Sequence, residues 1–189
     1  MSGWLLLLSL PPASGADWRL VDQTGDCKVY VDDSQDVYHG KATCLWADVP
    51  AARIIDALED PEHATAFFSN VKISRVVSTQ GPEKRVFQVH KFPVGSDRET
   101  TKTLKDVAID NGMRFEWKLV DDPPAPTEGR VTLEADAGYW QIRQGAEGAE
   151  VEFFMAYAPG GFLGVFPANK FMADGMVKTL GELRAEASK

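Results

Sequence analysis

Pro159-Gly160-Gly161-Phe162-Leu163-Gly164-Val165-Phe166-Pro167 leads into about twenty residues that run to the C-terminus, and the reading of this stretch decides the fold. From Val165, apolar residues recur at Met172, Met176, Leu180, Leu183 and Ala187, in steps of seven, four, four, three and four. Those steps hold them within one narrow arc of a 3.6-residue helix. Lys170, Asp174, Lys178 and Glu182 follow at four-residue steps on the far side with alternating sign, the pattern of a solvated face. Pro167 suits the first helical turn, where its missing N–H is no loss. Gly175 and Gly181 each cost roughly 1 kcal/mol relative to alanine inside a helix. The helix therefore depends on the surface beneath it rather than on propensity.

Upstream, that surface reads as antiparallel sheet. Residues 17–21 form a short amphipathic lead-in anchored by Trp18. Residues 27–31 alternate, 32–36 are turn-formers, and 38–46 alternate again, which predicts a hairpin with Val31 opposite Tyr38. Cys27 and Cys44 then share a face; a disulfide and two free thiols both remain open. Asp48 is placed to cap a helix reaching about Leu58, with Ile54, Ile55 and Leu58 inward. Asp60-Pro61 ends it, and a turn or short helix covers 63–68. Strands are predicted at 71–78, 85–92, 98–109, 113–120, 130–143 and 150–157, with a proline-rich loop at 121–127. Strands followed by one long terminal helix predict an α+β fold, a curved antiparallel sheet wrapped around that helix, rather than a parallel doubly wound sheet.

The chain of 189 residues suits one domain with material for a core. Its net charge of −8, without a lysine or arginine run, argues against nucleic acid as a partner. Residues 4–10 are mostly apolar, Pro11-Pro12 breaks the run, and Ser14-Gly15-Ala16 offers small residues where a signal peptidase cuts. Residues 1–16 read as an export signal without a basic n-region, the alternative being a disordered or misassigned leader. Residues 17–189 are then the domain, and the expected location is periplasmic or extracellular. No stretch reaches the roughly twenty apolar residues that span a bilayer.

Several stretches carry a family likeness in order. They are Asp17-Trp18, Cys27-Lys28-Val29-Tyr30, Leu58-Glu59-Asp60, Phe92-Pro93-Val94-Gly95-Ser96-Asp97-Arg98-Glu99, Gly138-Tyr139-Trp140-Gln141-Ile142, and Pro159-Gly160-Gly161 before a proline-led helix. Together they resemble the START domains, the steroidogenic acute regulatory protein-related lipid-transfer family, within the helix-grip (SRPBCC) superfamily that also holds polyketide cyclases. Two departures stand out. Phe67-Phe68 occupies the region of the tryptophan common after the first helix, and the usual Arg-Asp pair reads Arg98-Glu99. The resemblance implies a cavity between sheet and terminal helix for one hydrophobic molecule, a sterol, phospholipid or similar, with loops at one end acting as a gate.

Motifs for covalent or metal chemistry are missing from the sequence. His39, His63 and His90 lack metal-site spacing and read as surface or satisfied histidines, the two cysteines have no second ligand pair, and no Gly-x-Ser-x-Gly occurs. No metal or cofactor is expected. The apolar stripes Phe87, Val89, Phe115, Trp117, Phe153, Met155 and Tyr157, with Met172 and Met176 on the helix, are candidates to line the cavity, though each suits a filled core equally well. Strand alternation through Thr100, Lys102 and Leu104 aims Arg98 inward, toward Asp97, Glu99, Glu116 or a ligand head. Gly160, Gly161, Phe162, Leu163 and Phe166 are the candidate gate: a packed plug, or a lid touching membrane or partner. The leading expectation is a non-enzymatic lipid-binding protein, with transfer as a further role. A cyclase or aromatase using Arg98, Tyr157 or His90 in the same cavity is the alternative, and a filled domain acting through protein partners is the third.

Overall fold

Alternating apolar residues from several strands form one core with residues of the terminal helix. The structure, a computed structural model, describes residues 17–32, 37–92, 95–121, 123–161 and 165–189, and of residues 165–170 the backbone alone. Chain order runs β1 (Arg19–Thr24), β2 (Cys27–Asp32), β3 (Tyr38–Trp46), α1 (Ala51–Glu59), α2 (Ala64–Phe67), β4 (Val71–Gln80) and β5 (Glu83–His90). There follow β6 (Arg98–Ile109), β7 (Gly112–Leu119), β8 (Val131–Thr132), β9 (Ala135–Gln144), β10 (Ala149–Ala158) and α3 (Val165–Ala187). Among the described residues the sheet has the order β1-β2-β3-β10-β9-β7-β6-β5-β4, antiparallel throughout, with β8 added parallel to β6. The predicted α+β helix-grip architecture is what the chain adopts.

Four local expectations are corrected. The lead-in at 17–21 becomes a paired strand, β1, because its backbone finds β2 as partner from Arg19↔Val31 to Thr24↔Cys27. The β2–β3 hairpin is shifted by two residues from the predicted register: Val31 faces Gly40 rather than Tyr38. That shift sets Cys27 directly opposite Cys44, and the two form a disulfide. Asp48 does not cap α1, whose N-cap position is Pro50; its carboxylate accepts from Arg184 at 2.7 Å, and the Ala51 N–H donates to Gln144 Oε1 of β9 at 3.0 Å. Ile54 is inward as predicted, but Ala51 and Ala57 share the buried face while Ile55 and Leu58 are half-buried. Finally, 130–143 is two strands rather than one. Leu133 and Glu134 break it because their N–H groups turn to Glu99 O and Ala158 O, at 3.1 and 3.0 Å.

The core occupies one end of the grip. Leu180, Leu183 and Ala187 on the last turns of α3 are buried against Val29, Ala42, Trp46, Ile54 and Ile142. Arg184 pairs with Asp26 and Asp48 across that end. Gly138 lets strands and rings approach closely: a Cβ there would stand 2.2 Å from the Phe154 carbonyl oxygen and 2.6 Å from the Trp117 ring.

Candidate functional site

Toward the other end of α3 the packing opens into a cavity of about 610 Å³, within the range of small-molecule sites. β7, β9 and β10 supply its floor, since the inward positions of these strands are Phe115, Trp117, Trp140, Phe153, Met155 and Tyr157. Trp140 and Phe153 stack with centroids 3.9 Å apart, and Trp117 leans on Phe153 at 6.1 Å. Met172, Gly175, Met176 and Thr179 of α3 form the roof; Phe67 and Phe68 at the end of α2, with Phe171, form the rim. Phe171 is 44% exposed.

One wall is polar. Gln88 and His90 of β5, Lys102 of β6 and Asp136 of β9 all face the cavity. Asp136 accepts from the Trp117 indole N–H at 2.7 Å and pairs with Lys102 Nζ at 3.4 Å, and Lys102 also lies over the Trp117 ring. A pair this well buried draws little net stability from its own attraction and is costly to break. His90 Nε2 is buried with no hydrogen-bond partner among the described residues. Burial, helped by the Lys102 charge and opposed by Asp136, lowers its pKa to about 4, so the ring is neutral at pH 7. Burial and then the Asp136 charge raise the Tyr157 hydroxyl above the ordinary phenol value, so it stays protonated. The wall thus offers ammonium, imidazole and phenol groups around one carboxylate, while the floor is mainly aromatic.

Of the predicted lining residues, Phe115, Trp117, Phe153, Met155, Tyr157, Met172 and Met176 are brought together around the cavity. Phe87 and Val89 are not. In β5 the residues paired with inward Thr100 and Arg98 are Gln88 and His90, so the polar members of the strand face in. Phe87 instead lies on the other face under the Arg75 guanidinium, and Val89 is paired beside Glu99 on that same side. Arg98 is inward and buried but does not line the cavity, and it pairs with none of the predicted acids. Its Nε donates to Pro159 O at 2.8 Å, Nη2 to Gly160 O at 3.3 Å and Nη1 to Ser96 O. Asp97 is taken by Lys72, Glu99 by Arg130 and Glu116 by Arg114.

In the candidate gate, Gly160 and Gly161 adopt left-handed backbone, with φ of 66° and 72°. Phe162 and Leu163 lie outside the described residues, and Phe166 is described only as helical backbone. The reading of all three histidines as surface or satisfied is corrected. His63 bonds Glu186 at 3.2 Å, but His90 Nε2 and His39 Nδ1 are buried without partners among the described residues. Lys102, Asp136 and Gln88 were missed as cavity residues; the signal for Lys102 was its place on the same strand face as Arg98. No group of three metal-ligating side chains occurs among the described residues.

A curved antiparallel sheet gripping a terminal helix, with a lined cavity between them, defines a helix-grip protein of the StAR-related lipid-transfer fold. Residues 47–188 match the family described as polyketide cyclase / dehydrase and lipid transport, and the chain belongs to that family. Among solved structures, it is similar to the STAR-related lipid transfer protein fragment from Xanthomonas axonopodis, at 20% identity over 91% of this chain and 99% of that one, TM-score 0.80. Human StAR-related lipid transfer protein 5 aligns at 12% identity over 93% and 88%, TM-score 0.79. The Zhui aromatase/cyclase from Streptomyces aligns more loosely, at 14% identity over 80% and 93%, TM-score 0.60. No curated protein matches the chain in sequence.

Proposed function

We propose that the protein binds one hydrophobic, lipid-like molecule, a sterol, phospholipid or similar, and carries it without altering it. The carrying observation is the cavity of about 610 Å³ between sheet and α3, lined by aromatic and methionine side chains, with Gln88, His90, Lys102 and Asp136 on one wall. The apolar body of the guest would lie along Trp140, Phe153, Met155 and Met172, gaining roughly 25 cal/mol per Å² removed from water. Its polar group would meet the Lys102 ammonium, which spends one of its donors on Asp136 at 3.4 Å, and neutral His90. Exposed Phe171 at the rim supports transient membrane contact during loading. Export is supported by the apolar run at 4–10 and by the Cys27–Cys44 disulfide, a bond that persists in oxidising compartments. Organic extraction of the purified protein followed by mass spectrometry is the test. One hydrophobic compound per chain is expected; an empty protein that also takes up neither sterol nor phospholipid probes would overturn the reading.

A second reading, an enzyme of the cyclase or aromatase kind, is favoured by one observation: neutral His90, its Nε2 without a partner among the described residues, stands with Lys102, Asp136 and protonated Tyr157 as a set able to move protons. Turnover of an aromatic or polyketide substrate, lost in His90→Gln with the fold intact, would establish it. A binding protein that leaves every such compound unchanged would exclude it.

A further inference from the structure

Arg98 is 3% exposed, and among the described residues its guanidinium meets backbone carbonyls rather than a carboxylate. The acids on either side in sequence are committed elsewhere, Asp97 to Lys72 and Glu99 to Arg130. A buried cation left without a counter-charge needs a well-fixed set of dipoles, and here it gathers them from two connections. Ser96, with the Phe92 ring 4.5 Å from the guanidinium carbon, belongs to the β5–β6 connection; Pro159 and Gly160 belong to the segment leaving β10 for α3. The acceptors on the helix side can reach the guanidinium because Gly160 and Gly161 turn through left-handed backbone, and a Cβ on Gly160 would stand 2.6 Å from Thr132 O.

The two halves of α3 are held differently. Leu180, Leu183 and Ala187 are set into the core and Met176 packs against Tyr38 and Gly40 at the cavity edge, whereas Met172, Gly175 and Thr179 stand over the cavity. Upstream of Met176 the helix borders the cavity, and among the described residues the Arg98 carbonyl cluster lies at its entry.

We propose that Arg98 is the positioning residue that fastens the entry of α3 to the sheet and so sets how fast the cavity exchanges its occupant. The part concerning exchange rests on the lipid-binding reading; the fastening does not. In Arg98→Met, which removes the donors at similar volume, amide hydrogen exchange over 169–176 should rise about tenfold or more, as for a lost hydrogen-bonded charge, with β9 and β10 unchanged. Association and dissociation of a fluorescent sterol or fatty-acyl probe should both quicken by a similar factor, leaving affinity within about threefold, because a tether acts on the path rather than on the bound state. Arg98→Lys, able to reach one carbonyl at a time, should fall between. Gly160→Ala provides a second variant, displacing the acceptors while the guanidinium stays, and should loosen the same residues. Unchanged protection over 169–176 in Gly160→Ala or Arg98→Met would overturn the proposal, as would protection lost evenly across sheet and helix, or faster exchange in the helix with unaltered probe rates. Should wild type take up no probe at all, the lipid reading fails while the hydrogen-exchange comparison still decides the fastening.

Discussion

Lys102 and Asp136 are the residues on which the polar wall turns. Truncating one of two buried partners strands the other, at a cost of 3–5 kcal/mol where water is absent. Because this cavity communicates with the surface, Asp136→Ala should cost about 2 kcal/mol in urea unfolding. The Lys102→Met/Asp136→Leu double variant should recover most of that loss, and a double variant no better than the single would contradict the pairing. His90 carries a pH dependence of defined sign. Its folded pKa, about 4, lies below the value of 6.5 expected when unfolded. The unfolded chain therefore takes up the proton first, and stability falls as pH drops from about 6.5 toward 4. Between pH 6.5 and 4.5 wild type should lose about 2 kcal/mol more than His90→Gln, the exposed carboxylates cancelling in the comparison. Equal losses would show that His90 is already charged or well solvated.

At the scale of elements, α3 shows why some of the design was readable. Its apolar steps fixed its face, and the residues at those steps, Met176, Leu180, Leu183 and Ala187, are the buried ones. The period could not show that the face turns from packed core to cavity lining at Met172 and Met176, since methionine serves both. β5 illustrates the opposite case. Its hydrophobic members Phe87 and Val89 were expected inward, yet pairing with β6 turns Gln88 and His90 to the cavity. An alternating pattern names two faces without saying which is inside, and a polar cavity wall inverts the usual choice. The registers of β2 with β3 and the break between β8 and β9 were hidden for a related reason, because both depend on partners distant in sequence. Two glycine substitutions separate the elements further. Gly138→Ala would drive a methyl into the Phe154 carbonyl and the Trp117 ring and should cost at least about 2 kcal/mol in thermal or urea unfolding. Gly175→Ala meets nothing within 4 Å and should stabilise α3 by about 1 kcal/mol.

Across the whole molecule, the sheet is closed at one end by side chains and left hollow at the other. The closed end holds the disulfide, the Arg184 pairs and the buried turns of α3. The hollow end holds the aromatic floor, the polar wall and the Arg98 cluster at the helix entry. That division lets a stable scaffold keep a helix over empty space, which a uniformly packed core would not permit. The central claim, that this space receives a guest, is tested most directly by titrating a fluorescent sterol or fatty-acyl probe into wild type and Gly175→Leu. Gly175 lines the cavity and a Cβ there meets nothing within 4 Å, so a leucine at this position should take up cavity space. Wild type should bind one equivalent, and Gly175→Leu, melting at or above the wild-type temperature, should bind little or none. No uptake by wild type, or equal uptake by the filled variant, would contradict the account.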